Sequence, residues 1–317
     1  MEMVDKLSLK TNNSRSLMVS ALGDQLEFDK PLAQMTSFKT GGNAAYFISV
    51  NSENEMVRII KETQKLKVPF FLIGGGSNLL VSDQGFDGLI IKVEIKKINL
   101  NDSLSINCGA GVDLIDLVNF ATSNSLTGLE FASGIWGTVG GAIYGNAGAY
   151  GGEIGDVITD VTLVDLKGNI KVVDRDYCRF GYRDSYLKKT KEIITSTRLK
   201  LIRGEKEAIK SRVDEIMASR NAKHPNENTC GCFFKNIPDQ REKYGKLAAG
   251  KLLEEIGAKK MSVGGAKIFD KHANMIVNSG NATSAEISKL AELLKQKVFD
   301  KFGIELEEEV TRLGEFN

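Results

Sequence analysis

Apolar and polar positions along the chain switch between a period of two and a period near 3.6, and their order predicts a mixed α/β protein. Ala44–Val50 (AAYFISV) reads as a strand. From about Glu53 to Leu66 the spacing becomes helical, with Asn51 or Ser52 placed as the cap. Pro69–Ile73 (PFFLI) is a short buried strand running straight into Gly74–Asn78 (GGGSN). Gly88–Val93 and Ser103–Cys108 are further strands, and Asp113–Asn124 is an amphipathic helix with Leu114, Leu117 and Ala121 on one side. Val157–Asp165, Ile170–Val173 and Ile193–Leu201 alternate as strands do, with Lys167–Gly168–Asn169 as a hairpin turn. At Arg203–Lys206 the character changes: a charged helix runs to about Arg220 and opens a second unit, which closes on an amphipathic helix over Ser284–Phe302.

Between these halves lies the densest anomaly, Gly128–Gly152 (GLEFASGIWGTVGGAIYGNAGAYGG), with nine glycines in 25 residues. Leu129, Phe131, Ile135, Val139, Ile143 and Tyr144 among them are core formers, so the stretch is no linker. Glycine has no side chain to bury and loses most backbone entropy on folding. So many of them imply positive φ angles or a very close approach of main chain. Bare N–H groups facing a phosphate would need that, and so would tight turns in a β-rich domain.

Composition narrows the field without naming a function. The 317 residues allow two or three domains, and 42% apolar with 26% charged residues is ordinary for a globular protein. With 42 basic and 41 acidic side chains the net charge is +1, which gives no reason to expect bulk nucleic-acid or membrane-surface binding. The first 22 residues read as a polar leader, partly disordered, with no apolar core of a secretory signal; no segment is long enough to span a bilayer. Four cysteines are not a disulfide framework, and a cytoplasmic location is the expectation. The common nucleotide fingerprints fail. Gly74–Gly76 does not extend to GxGxxG, because position 79 is Leu, and no GxxxxGK[ST] occurs.

The motifs do match a family. The segments PLAQMTSFKTGGNA (Pro31–Ala44), IGGGSNLLV (Ile73–Val81), the glycine-rich stretch, FGYRDS (Phe180–Ser185), RNAKHP (Arg220–Pro225), GCFFKN (Gly231–Asn236), VGGAKIFDKHANMIVN (Val263–Asn278) and GIELEEEV (Gly303–Val310) occur in family order. In these the chain resembles the UDP-N-acetylenolpyruvoylglucosamine reductases. The resemblance implies an α+β architecture: an FAD-binding domain of the vanillyl-alcohol-oxidase (PCMH) type over 23–202, in two subdomains split near 94. A substrate-binding domain over 203–304 and a segment 305–317 returning to the active site would follow. FAD would rest on Gly74, Gly75, Gly76, Ser77 and Asn78 and on Ser133, Ile135, Gly137, Gly140 and Gly141, with Arg220 beside it. NADPH would donate the hydride, and UDP-N-acetylglucosamine enolpyruvate would accept it. A monomer is expected.

The resemblance also assigns roles. Hydride added at C3 of an enolpyruvyl group leaves charge on C2 and its carboxylate, which calls for a cation and an acid. Arg183 matches the enolate-stabilising arginine and Glu309 the catalytic glutamate. Taken alone, the first is more readily a surface ion pair and the second a solvated charge run. Relatives often carry serine in the second position of GCFFKN; here it is Cys232, a stronger intrinsic acid and a suitable donor to C2. His224, Cys230 and Cys232 lie close enough to suggest a metal, yet no fourth ligand or usual zinc spacing is present, so none is expected. Tyr182, Lys223, Lys235 and Asn236 match substrate-binding positions. The 36 residues between Arg183 and Arg220 are too few for the extra tyrosine-bearing loop of one subtype, which leaves the clamping of UDP open. Trp136, the only tryptophan, replaces a proline usual in relatives and is expected to pack beside the cofactor or the core. A flavin oxidase or dehydrogenase of the same fold, acting on another small molecule, is the alternative, and an inactive nucleotide-binding regulator is a second.

Overall fold

A computed structural model describes residues 12–242 and 245–316. The N-terminal half holds two large sheets, of four and five strands, the first ending at Val93 and the second beginning at Ile98. The first orders its strands Glu27–Pro31, Asn43–Val50, Phe86–Val93, Phe70–Ile73. Its first pair is antiparallel and the other two are parallel. Asn43–Val50 is buried along nearly all its length, the burial expected of an inner strand covered on both faces. Helix Glu53–Leu66 makes the crossover. Ser52 Oγ accepts from the Glu55 N–H, and Met56, Ile59, Ile60 and Thr63 are buried at helical spacing.

The second sheet is antiparallel, ordered Ile170–Asp174, Ile158–Val164, Ile193–Lys200, Ser105–Gly109, Ile98–Leu100. One large core joins both sheets to helices Glu53–Leu66 and Leu114–Ser123. A second core gathers Phe233, Phe234, the Ala249–Glu255 helix and the inner face of Ser284–Phe302, and takes Phe38 and Leu80 from the N-terminal half. Ser284–Phe302 starts with a reciprocal cap between Thr283 and Glu286 and stops at Gly303, whose φ is 67°.

Three expectations change. Residues 12–22 of the leader form a helix, Asn12–Leu22, that buries Met18 and Leu22 in the first core; residues 1–11 lie outside the described residues. The charged helix Lys206–Lys223 packs against Leu114–Ser123 and the Glu130–Ala132 turn, with Val213 against the first core. The change of composition at Arg203 is therefore not where the packing changes. Trp136 is 58% exposed and joins no core. Its neighbouring glycines already shape the turn, and of the two places expected for the indole, beside the core or beside the cofactor, only the core is ruled out.

Candidate active site

The glycine-rich stretch folds as a turn, Glu130–Ala132, a loop, and a short helix, Val139–Gly145, capped by Thr138. Its loop lies against Gly74–Asn78, and this seam explains much of the glycine. A Cβ on Gly75 would stand 2.8 Å from Gly137 Cα, and one on Gly74 would stand 2.3 Å from Thr138 Oγ1. Gly137 itself has φ +125°, a region side chains avoid. Ser77 Oγ donates to Trp136 O at 2.8 Å across the seam, and Lys92 Nζ donates to Gly74 O at 2.6 Å from beneath. Burial pushes the Lys92 ammonium down, which is tolerable next to a carbonyl and Asp113.

Packed this way, the main-chain N–H groups of Gly75, Gly76, Ser77 and Asn78 donate to no acceptor among the described residues. Four consecutive free donors on an exposed edge form a nest for an anion. Among the described residues, three buried side-chain polar atoms lack a hydrogen-bond partner: Ser133 Oγ, Arg183 Nε and Arg220 Nε. Buried polar atoms are normally paired. All three belong to residues expected at the cofactor or the reacting group, so the chain fits a bound FAD. Arg220 lies beside Gly134, where a Cβ would come 2.6 Å from its Cδ, and stacks over Tyr150 at 5.4 Å.

Arg183, Cys232 and Glu309 come from three separate segments and converge. Gly231–Asn236 runs between the strand His272–Asn278 and the extended segment around Glu309: Phe233 N–H donates to Asn274 O at 2.8 Å on one side, and Glu309 N–H donates to Phe233 O at 2.8 Å on the other. Asn274 fixes the segment further, its Nδ2 donating to Phe234 O at 2.8 Å and its Oδ1 accepting from Phe234 N at 3.0 Å. The C-terminal strand Thr311–Leu313 pairs in parallel with Leu79–Val81, and Asn78 Nδ2 donates to Glu309 O at 2.9 Å. The tail therefore ties Glu309 to the end of the glycine nest.

Glu309 Oε1 lies 2.7 Å from Arg183 Nε, an ion pair in which the N–H is not aimed at the oxygen. Arg183 Nη1 donates to Gly148 O at 2.9 Å, and the residue holds a left-handed backbone at φ 53°. Lys188 Nζ donates to Arg183 O at 2.6 Å and supports that turn. Burial pushes Glu309 up, while Arg183, Lys188 and Lys235 pull it back. Burial, aided by the Glu309 charge, pushes the Cys232 thiol up to about 11, with Arg183 and Arg220 opposing. Cys232 is therefore a neutral thiol at physiological pH.

Of the expected substrate residues, Asn236 N–H donates to Tyr182 Oη at 3.2 Å, and Lys235 pairs with Glu307. Lys223 is exposed in the last turn of its helix. Lys246, 3.6 Å over the Tyr182 ring, and Lys188 escaped the sequence reading, because charged runs such as Leu187–Lys191 look alike wherever they point. His224, Cys230 and Cys232 do not converge as metal ligands among the described residues.

The chain as a whole matches known proteins. A family model described as UDP-N-acetylenolpyruvoylglucosamine reductase, C-terminal domain, matches residues 223–313, and one described as FAD binding domain matches 44–174. The reductase of Caldanaerobacter subterraneus subsp. tengcongensis is 38% identical over 292 residues, covering 92% of this chain and 94% of that protein. A Listeria monocytogenes reductase is 36% identical over 291 residues, with 92% and 95% covered. The crystal structure of the Thermus caldophilus reductase superposes with a TM-score of 0.76 at 32% identity, covering 91% of this chain and 98% of that one. With free donors suited to a flavin nucleotide and relatives matched over 92% of its length, the chain belongs to the UDP-N-acetylenolpyruvoylglucosamine reductase family, FAD-containing oxidoreductases of peptidoglycan precursor synthesis.

Proposed function

We propose that Arg183, Cys232 and Glu309 carry the reduction of UDP-N-acetylenolpyruvoylglucosamine to UDP-N-acetylmuramate. FAD, held by Gly74–Asn78 and the Ser133–Gly141 loop, would supply the hydride chemistry between NADPH and C3 of the enolpyruvyl group. Arg183 has Nη1 on Gly148 and Nε beside Glu309, which leaves Nη2 for the substrate carboxylate and the charge that develops at C2. Glu309 orients the guanidinium and keeps the Cys232 proton in place by its charge. Cys232 Sγ then gives its proton to C2; the resulting thiolate is stabilised by Arg183 and Arg220 and regains a proton from solvent. Tyr182, Lys235 and Asn236 line the approach, and Lys223 reaches the diphosphate from the edge. One chain provides the whole set, which fits a monomer, and NADPH with a UDP-sugar fits a cytoplasmic enzyme.

The observation that carries this reading is the half-buried, neutral Cys232 placed with the Arg183–Glu309 pair. The test measures the two half-reactions separately. Cys232→Ala should keep NADPH oxidation by the flavin and lose substrate reduction, and Cys232→Ser should retain appreciable turnover. Wild-type rates for both half-reactions in Cys232→Ala would remove Cys232 from the mechanism.

A further inference from the structure

Arg183 stands at the tip of a two-residue turn. Gly181 N–H donates to Asp184 O at 3.0 Å and Asp184 N–H donates to Gly181 O at 3.2 Å, so Tyr182 and Arg183 alone form the tip. The φ of 53° at Arg183 is one that glycine or asparagine usually takes in such turns. Lys188 holds the Arg183 carbonyl, but the direction of the whole turn is set by another segment.

That segment is Tyr144–Gly148, which meets the turn at alternate positions. Ser185 Oγ donates to Tyr144 O at 2.8 Å, Asn146 Nδ2 donates to Gly181 O at 2.9 Å, and Arg183 Nη1 donates to Gly148 O at 2.9 Å. Ser185 and Asn146 are each 1% exposed, so losing either bond leaves a buried polar group unpaired. Asn146 Oδ1 also accepts from Gly155 N–H at 3.1 Å. An amide serves a carbonyl and an N–H at once, which a carboxylate or an aliphatic side chain does not. The surroundings are built closely around it: a Cβ on Gly155 would stand 3.0 Å from Asn146 Oδ1 and 2.8 Å from Phe180 Cδ2. Asn146 itself, at φ 45°, is the C-cap of the helix Val139–Gly145, whose N-cap is Thr138 at the glycine seam. One seven-residue helix therefore joins the seam to the arginine turn.

We propose that Asn146, seconded by Ser185, is a positioning residue for the reduction. It holds the Arg183 turn in register with the helix that leaves the seam, so that the guanidinium meets the substrate carboxylate and the charge developing at C2. The proposal rests on the role given to Arg183 above. A misplacement of about 1 Å can cost about a hundredfold in rate. Asn146→Gly keeps the left-handed cap and removes both side-chain bonds. Measured per bound flavin, it should leave flavin reduction by NADPH unchanged, because that step develops no carboxylate-linked charge. Flavin reoxidation by the enolpyruvyl substrate should slow about tenfold to a hundredfold. Ser185→Ala should slow the same half-reaction about fivefold, the factor one neutral hydrogen bond is worth, and it decides by the same measure if Asn146→Gly does not fold. Calorimetry gives a readout without turnover. Asn146→Gly should weaken binding of UDP-N-acetylmuramate, which carries the carboxylate, roughly threefold to tenfold, and leave UDP-N-acetylglucosamine, which lacks it, unchanged. In an Arg183→Met background Asn146→Gly should add no further loss. Parallel slowing of both half-reactions, or equal weakening of both nucleotides, would show an amide that serves the fold at large. A wild-type substrate rate in Asn146→Gly would show that it positions nothing, and an undiminished effect in the Arg183→Met background that it acts elsewhere; each overturns the proposal. Wild-type substrate reduction in Arg183→Met alone would overturn the reading of Arg183 itself, an outcome that no behaviour of Asn146 imitates.

Discussion

Gly75→Ala tests the seam between the two glycine loops. The added Cβ would stand 2.8 Å from Gly137 Cα, where ordinary contact begins near 3.4 Å, so the loops must part by about 0.6 Å. Neither partner is a side chain that can rotate away. The same displacement would stretch the 2.8 Å bond from Ser77 Oγ to Trp136 O beyond useful length. Overpacking of this kind costs about 1–3 kcal/mol, and one lost hydrogen bond costs about 1 kcal/mol more. If the strain falls on the flavin-binding conformation, FAD affinity drops roughly thirtyfold to several-hundredfold, at 1.4 kcal/mol per decade. The assay is flavin titration of the deflavinated chain, with thermal unfolding measured in parallel. Gly145→Ala is the control: a Cβ there meets nothing within 4 Å, so binding and stability should hold or improve slightly. Wild-type FAD affinity and melting in Gly75→Ala would refute the close seam.

Three further outcomes follow from the same geometry. Cys232, pushed up to about 11, should react slowly with iodoacetamide at pH 8, and Glu309→Gln should lower the pH at which its alkylation accelerates; an unchanged profile would separate the two groups. His224 is pushed down to about 4 by burial, Arg220 and His272, so the unfolded chain binds its proton first. Stability should fall as pH drops from 6.5 toward 4, and His224→Gln should flatten that limb in urea titrations; equal slopes in both proteins would show that His224 is not the cause. Lys188→Met, which removes the donor to Arg183 O, should lower kcat more than KM, whereas a mere stability loss would change active fraction without altering KM or the pH profile.

The local elements were readable because their signals are local. Ser52 with Glu55, and the apolar spacing of Met56, Ile59, Ile60 and Thr63, specify a helix without reference to the rest of the chain. Pairings across the chain carried no such mark. Thr311–Leu313 is only three residues long and is a strand by virtue of its partner at Leu79–Val81. In Lys206–Lys223, Ile209, Val213 and Ile216 announce a buried face but not what covers it, so the helix read as the start of the second unit. At the site, motifs named Arg183, Cys232 and Glu309. Ion pairs and partners such as Lys188 on Arg183 O, or Lys246 over Tyr182, needed coordinates. The glycines had a divided reason: several are required by loop against loop, and the free N–H groups are what that packing leaves outward.

The hydrogen bond from Asn78 to the Glu309 carbonyl closes a loop of 231 residues. The glycine nest, by contrast, is held within residues 37–141, with Ser37 donating to Gly76 O and Ser77 O and the other loop packed at Gly137. Long closures are entropically costly and form late. A refolding chain is therefore expected to turn yellow before it turns over substrate, and colour and catalysis should rise in two separate phases. Flavin content overstates the active fraction of any preparation whose tail has not docked, and specific activity per bound flavin measures how completely the chain has closed.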